Sequence, residues 1–153
     1  FNDAAKGSTI ASTMYASGAD VIYQAAGGTG TGVFTAAKEV NEKLSADSNK
    51  KVWVIGVDRD QSAEGNYTSS DKKKSNFVLT STIKQVGTVV KDIANDQVKG
   101  KEFEGGKTKT YGIKDGGVDI VTSSLPSDIK DAVVKAKDQI KNGELKPTDG
   151  LSK

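Results

Sequence analysis

Apolar positions along the chain recur with two different periods, and their alternation predicts helices and strands in turn. A helical stretch comes first, with Ile10 and Met14 four apart, an N-cap at Asn2 or Asp3, and Gly18 as its stop. Residues 19–23 read as a short buried strand running into the glycine-rich turn Gly27-Gly28-Thr29-Gly30-Thr31-Gly32. Val33, Ala37, Val40 and Leu44 mark the next helix. Residues 52–57 form a near-continuous apolar run, the pattern of a parallel strand covered on both faces, and end on Asp58-Arg59-Asp60. Residues 61–75 carry few apolar positions and read as a loop. Within it, Asn66-Tyr67-Thr68 fits a glycosylation triplet that is common by chance, and Lys72-Lys73-Lys74 reads as a solvated basic run.

Residues 76–80 predict another strand, and Ile83, Val86, Val90 and Ile93 a helix ending near Gly100. A charged turn at 101–107 precedes two extended stretches, 108–112 and 118–121. Pro126 and Ser127 open a last helix with Ile129, Val133, Ala136 and Ile140 on one face, closed by Asn142-Gly143. The tail from Glu144 is polar, and no internal repeat is visible. Strands alternating with helices predict an α/β fold with a mostly parallel sheet flanked by helices. A helix cap at the second or third residue predicts a chain that starts just after a strand, as a fragment does.

Composition narrows the chemistry. With 35% apolar residues in 153, the chain can bury one real core. The 22 basic and 20 acidic residues nearly cancel, so the basic surplus of a nucleic-acid binder is missing. Cysteine and histidine are both absent, which excludes disulfides, Cys/His zinc sites, a cysteine nucleophile and a Ser-His-Asp triad. No apolar run is long enough to span a bilayer. Lack of cysteine suits a reducing cytosol and an exported protein equally. Binding is therefore expected ahead of catalysis, with no catalytic residue, metal or cofactor assigned.

Four strand-end features carry the candidate chemistry. The glycine turn can hold backbone N–H groups against a ligand, or simply allow a tight strand-to-helix turn. It fails the dinucleotide pattern, because Val33 stands where the third glycine belongs. Gly106-Lys107-Thr108 fails as a phosphate loop, because Lys101 replaces its first glycine. Asp58 ends an apolar strand, where it can accept from a diol or cap a turn. Tyr23 can stack on a planar ring or be partial core. Lys84, where strand gives way to helix, can bond a ligand oxygen or be an ordinary surface lysine. Together these groups suit a small hydroxylated ring compound.

Several segments carry a resemblance. Phe1-Asn2-Asp3-Ala4-Ala5-Lys6-Gly7, residues 18–30, Val54-Ile55-Gly56-Val57-Asp58-Arg59-Asp60-Gln61, Ile83-Lys84-Gln85-Val86-Gly87 and Lys114-Asp115-Gly116-Gly117-Val118-Asp119 resemble the basic membrane protein family. Within it they are similar to the purine nucleoside receptor lipoproteins, the substrate-binding proteins of nucleoside ABC transporters. The resemblance implies a type I periplasmic-binding fold, with this chain as the carboxyl-terminal lobe plus hinge-crossing segments. Residues 1–144 are then the ligand-binding lobe and 145–153 a polar tail, with 83–100 packing on the absent first lobe. It further implies ligand contacts at Tyr23 (base stacking), Gly27 and Gly28 (backbone to ribose), and Asp58 and Lys84 (ribose hydroxyls). The implied partners are guanosine, inosine or adenosine and a transporter permease, on a protein lipid-anchored at the outer face of the cell membrane. Sheet edges bared by a missing lobe lead to the expectation of a homodimer. Two other classes suit the same residues: a Rossmann-type nucleotide enzyme, and the sugar- or nucleoside-binding effector domain of a transcription regulator.

Overall fold

The computed structural model describes residues 1–148, in two compact units that divide after Thr82. In the first unit, α1 (Ala4–Ala16) leads into β1 (Val21–Tyr23), then a single 3-10 turn (Gly27–Gly30) and α2 (Thr31–Asn41). β2 (Trp53–Gly56), a second 3-10 turn (Ser62–Gly65), β3 (Asn66–Thr68) and β4 (Lys74–Asn76) follow. β5 (Val78–Lys84) starts in the first unit, and its last two residues enter the second. β2 lies between β1 and β5 and pairs parallel with both, Ile22 opposite Val54 and Ile55 opposite Thr80. The second unit holds α3 (Val86–Val98), β6 (Val118–Ile120) and α4 (Ser127–Asn142), with β6 next to β5 in the strand order. Helices thus alternate with strands as the hydrophobic periods predict, except between the parallel pair β2 and β5, which a 3-10 turn and the strands β3 and β4 connect.

Local chemistry explains most of these boundaries. Asp3 caps α1 by accepting the Lys6 N–H at 2.9 Å, and Gly18 takes φ 96° just past its end. Gly143 ends α4 in the left-handed conformation. α1 buries Gly7, Ala11 and Tyr15, a different stripe from the predicted Ile10 and Met14, which are exposed. The reason lies in how closely α1 meets the start of α2. A Cβ on Gly7 would stand 2.1 Å from the Thr29 carbonyl oxygen, and one on Gly32 2.0 Å from that of Ala4. Contact at that range selects the small-residue face over the larger apolar one.

The core of the first unit gathers Ala11, Tyr15, Ile22, Val33, Phe34, Ala37, Val54, Phe77 and Val78. Phe77 is fully buried between Phe34 and Tyr67, with ring centroids 6.2 and 5.8 Å away. Fully burying a side chain of this class stabilises by about 1.5–3 kcal/mol. Asn41 at the end of α2 donates from Nδ2 to the Val52 carbonyl (2.8 Å) and accepts the Val52 N–H on Oδ1 (3.1 Å). It thereby ties the helix to the residue that leads into β2.

Four expectations need correction. Residues 61–75 are not a loop throughout: β3 and β4 form an antiparallel hairpin, Tyr67 opposite Ser75. Only Tyr67 of these strands is buried, so the apolar alternation was too short to read. The strand placed at 76–80 is β5, and Ile83 belongs to it; the β-branched Val78, Thr80, Thr82 and Ile83 favour the extended chain. Residues 108–112 form no strand. β2 alternates buried Val54 and Gly56 with half-buried Trp53 and Ile55, so it is covered fully on one face only. Of the predicted tail, residues 149–153 lie outside the described residues. Among the described residues no helix is long and apolar enough to cross a membrane.

Candidate ligand-binding site

β1 and β2 run parallel, so their carboxyl ends lie on one side of the sheet, where open α/β sheets hold ligands. Tyr23 closes β1 and is 51% exposed, with its hydroxyl 3.1 Å from Thr82 Oγ1. Half of its surface is thus outside the core, and the ring is anchored at its far end to β5. Thr82 Oγ1 in turn reaches the Gly56 carbonyl at 3.4 Å.

The glycine turn is closed on one side by the chain's own first residues. Thr29 N–H donates to the Phe1 carbonyl at 3.2 Å, and Asp3 N–H donates to Thr29 Oγ1 at 3.0 Å. Gly27 has φ 57°, and a Cβ there would lie 3.4 Å from the Phe1 ring; one on Gly28 would lie 2.6 Å from Asn2 Oδ1. These glycines admit close backbone approach, and residues 1 and 2 make that approach. Sequence reasoning gave Phe1 no role, yet its ring borders Gly27 and is 93% exposed. No local sequence signal marks this contact, because Phe1 and Gly27 are 26 positions apart and meet only in the fold.

Asp58 sits at the centre of a three-residue turn, with φ 71° and Arg59 N–H donating to the Val57 carbonyl at 2.9 Å. A non-glycine residue held in that region costs about 1–3 kcal/mol and persists only where its surroundings enforce it. The neighbouring charges are engaged locally. Arg59 pairs with Glu64 at 2.5 Å, and Asp60 accepts the Ser62 hydroxyl and N–H. Those Ser62 bonds, the hydroxyl first, hold the Asp60 carboxyl below its usual range. Asp60 therefore belongs to the turn and does not pair with Arg59.

Tyr23, Gly27, Gly28 and Asp58 thus all belong to the first unit, at the ends of β1 and β2. Lys84 is the final residue of β5 and belongs to the second unit. Among the described residues, no three or more carboxylates cluster closely enough to hold a metal ion.

Comparisons with known proteins place the chain. The family described as ABC transporter substrate-binding protein PnrA-like (Bmp) matches residues 1–148. The ABC transporter nucleoside-binding protein BmpA of Lactococcus lactis is 59% identical over 145 residues, 95% of this chain and 40% of that protein. The CD4+ T-cell-stimulating antigen of Listeria monocytogenes is 45% identical over 148 residues, 95% of this chain and 40% of its own. Basic membrane protein A of Borreliella afzelii is 33% identical over 147 residues, with the same coverage of 95% and 40%. The chain therefore spans about two fifths of the length of these relatives. The crystal structure of a transcriptional activator of the comK gene from Bacillus halodurans has a TM-score of 0.72 at 23% identity, covering 97% of this chain and 46% of that one. An ABC transporter solute-binding protein from Aeropyrum pernix K1 has a TM-score of 0.67 at 24% identity, covering 99% and 46%. At that identity the two structures carry the fold alone. On the match over residues 1–148, the chain belongs to the Bmp family of PnrA-like ABC transporter substrate-binding proteins.

Proposed function

We propose that this chain is the carboxyl-terminal half of the substrate-binding component of a nucleoside ABC transporter, taking a purine nucleoside (guanosine, inosine or adenosine) without chemical change. The observation that supports the reading is that Tyr23, the glycine turn and Asp58 stand at or just after the carboxyl ends of the neighbouring parallel strands β1 and β2. The Lactococcus lactis relative, described as nucleoside-binding, supports the ligand class. In this reading Tyr23 offers a stacking face, and the exposed Phe1 ring is a second candidate for the same task. Base stacking on an aromatic side chain is worth about 1–3 kcal/mol in other systems. Gly27 and Gly28 bring backbone near the ribose, and Asp58 and Lys84 bond its hydroxyls. A site that pairs a ribose hydroxyl rejects the deoxy sugar, because a buried polar group is then left without a partner.

Residues 1–144 act as the binding lobe, residues 83–100 pack on the preceding lobe, and closure of that lobe completes the site. The full protein delivers its ligand to a permease and is held to the outer face of the cell membrane by a lipid. Taken alone, the chain pairs as a homodimer through sheet edges, which light scattering tests; a clean monomer removes this part.

Calorimetric titration of the full-length protein with guanosine, adenosine and their 2′-deoxy forms tests the reading. Ribonucleoside is expected to bind more tightly than deoxynucleoside, and Asp58→Ala to abolish that difference. Removing charge-assisted hydrogen bonds of this kind costs about 1.5–3 kcal/mol, roughly 10- to 150-fold in affinity. If no nucleoside binds, or Asp58→Ala keeps the wild-type ratio, the reading fails.

A further inference from the structure

The turn at Asp58 is enforced by a buried chain of side-chain amides that the strand-end features do not include. Gln24, the residue after β1, is 4% exposed, and Gln61 is 7% exposed. Gln24 Nε2 donates to Gln61 Oε1 at 2.7 Å, and the same oxygen accepts the Val57 N–H at 2.9 Å. Gln61 N–H donates to Ser81 Oγ of β5 at 3.1 Å. Gln61 Nε2 donates to Glu64 Oε2 at 2.8 Å, and Glu64 holds Arg59 through its other oxygen. Val57 and Arg59 are the residues on either side of Asp58. Both flanks of the strained turn are therefore tied to Gln61, one directly and one through Glu64.

The same chain reaches the glycine turn. A Cβ on Gly30 would stand 1.7 Å from Gln24 Oε1, so only glycine leaves the Gln24 amide its place. That amide oxygen is buried and has no hydrogen-bond partner among the described residues, so the Nε2 bond to Gln61 alone orients the group. Gly56 makes room in the same way, since its Cβ would lie 2.5 Å from Ser81 Oγ and 2.9 Å from Gln61 Oε1. A conformation that is sparsely populated by itself persists where neighbours over-determine it, and such sites serve pre-organisation.

We infer that Gln61, seated by Gln24 and Gly30, is the positioning residue that holds Asp58 in its binding conformation and so sets the discrimination between ribose and deoxyribose. The inference rests on the nucleoside reading for its ligand. Its geometry can be tested without one. Gln61 touches no ligand; it acts through the Val57 N–H and the Glu64–Arg59 pair.

The test uses the full-length protein with Gln61→Ala, Gln61→Glu and the exchange Gln61→Glu/Glu64→Gln. Gln61→Glu keeps the acceptor for Val57 but sets a carboxylate against Glu64. The exchange restores one donor and one acceptor across that contact at unchanged total charge. Two readouts are taken: the ratio of guanosine to 2′-deoxyguanosine affinity, and hydrogen exchange at the Val57 amide. Gln61→Ala and Gln61→Glu are expected to lower the ratio at least tenfold and to speed Val57 exchange, and the exchange variant to recover both. A lost fold in Gln61→Ala leaves the pair Gln61→Glu and Gln61→Glu/Glu64→Gln to decide. Wild-type ratio and slow Val57 exchange in Gln61→Glu overturn the inference. If the wild-type protein binds no nucleoside, the functional reading falls and Val57 exchange decides the positioning role by itself.

Discussion

Asn41 offers the sharpest test of how the first unit holds together. Its amide clamps both polar groups of one backbone residue, Val52, from a fully buried position. Asn41→Ala removes the partner of a buried N–H and a buried C=O together. Each such group left unsatisfied costs about 1–3 kcal/mol, so the loss is about 2–6 kcal/mol. Set against the about 5–15 kcal/mol of an ordinary domain, this is a large fraction. Trp53, the one tryptophan, follows Val52 directly, so urea unfolding read by its fluorescence reports on the affected strand.

Asn41→Asp separates the two bonds. A carboxylate accepts the Val52 N–H but turns lone pairs toward the Val52 carbonyl; the protonated acid can donate there. Burial and the facing carbonyl raise the folded-state pKa of this carboxyl above its unfolded value of about 3.9. More protons are then bound in the folded state, so the variant is best off below about pH 4 and loses stability as pH rises. Its deficit against wild type is expected to widen from acid to neutral pH. An Asn41→Ala protein within about 0.5 kcal/mol of wild type, the range of an ordinary surface change, refutes the clamp. So does an Asn41→Asp deficit that stays flat with pH.

Two helical glycines should respond to alanine with opposite signs. Gly32→Ala drives a Cβ to 2.0 Å from the Ala4 carbonyl oxygen and 2.4 Å from the Ser8 nitrogen. Both are backbone atoms that cannot swing aside, so a loss of about 1–3 kcal/mol in urea unfolding is expected; no loss would show that α1 and α2 are not in close contact. Gly87→Ala in α3 meets nothing within 4 Å, and a gain of about 0.4–1 kcal/mol is expected, read by slower exchange of α3 amides. Unchanged or faster exchange counts against it. The Asp71 carboxyl is held down at about 2, first by the Ser69 hydroxyl, then by the Ala46 N–H and Lys73. A lowered folded pKa means that this contribution is present above the ordinary 3.8 and disappears as pH falls toward 2. An Asp71 carboxyl resonance titrating at the ordinary value would contradict the bonding around it.

The elements most legible in the sequence were those whose signal is local. Asp3 as a cap and Gly18 and Gly143 as stops act within one turn and stand as read, and the apolar run does mark β2, though that strand is covered fully on one face only. The hairpin of β3 and β4 escaped because its stability comes through one inward side chain, Tyr67, packed on the distant Phe77. Likewise, Gln24 and Gln61 read as ordinary polar residues. Their separation of 37 positions hides a contact that exists only once β1 and β2 pair in parallel.

By itself, then, the sequence determined the order and kind of the main elements, because hydrophobic period, caps and glycines operate over a few residues. It also placed Tyr23, the glycine turn and Asp58 at the carboxyl ends of β1 and β2, where the proposed site lies. The tertiary structure decided which face of α1 is buried, because contact with the start of α2 admits glycine where the apolar period favoured Ile10 and Met14. It decided that Asp58 stands in a strained turn. The bonds that flank its φ of 71° are local, Val57 to Gln61 among them, but Gln61 itself is seated by Gln24, 37 positions away, and by Ser81 of β5, which it meets only in the folded sheet.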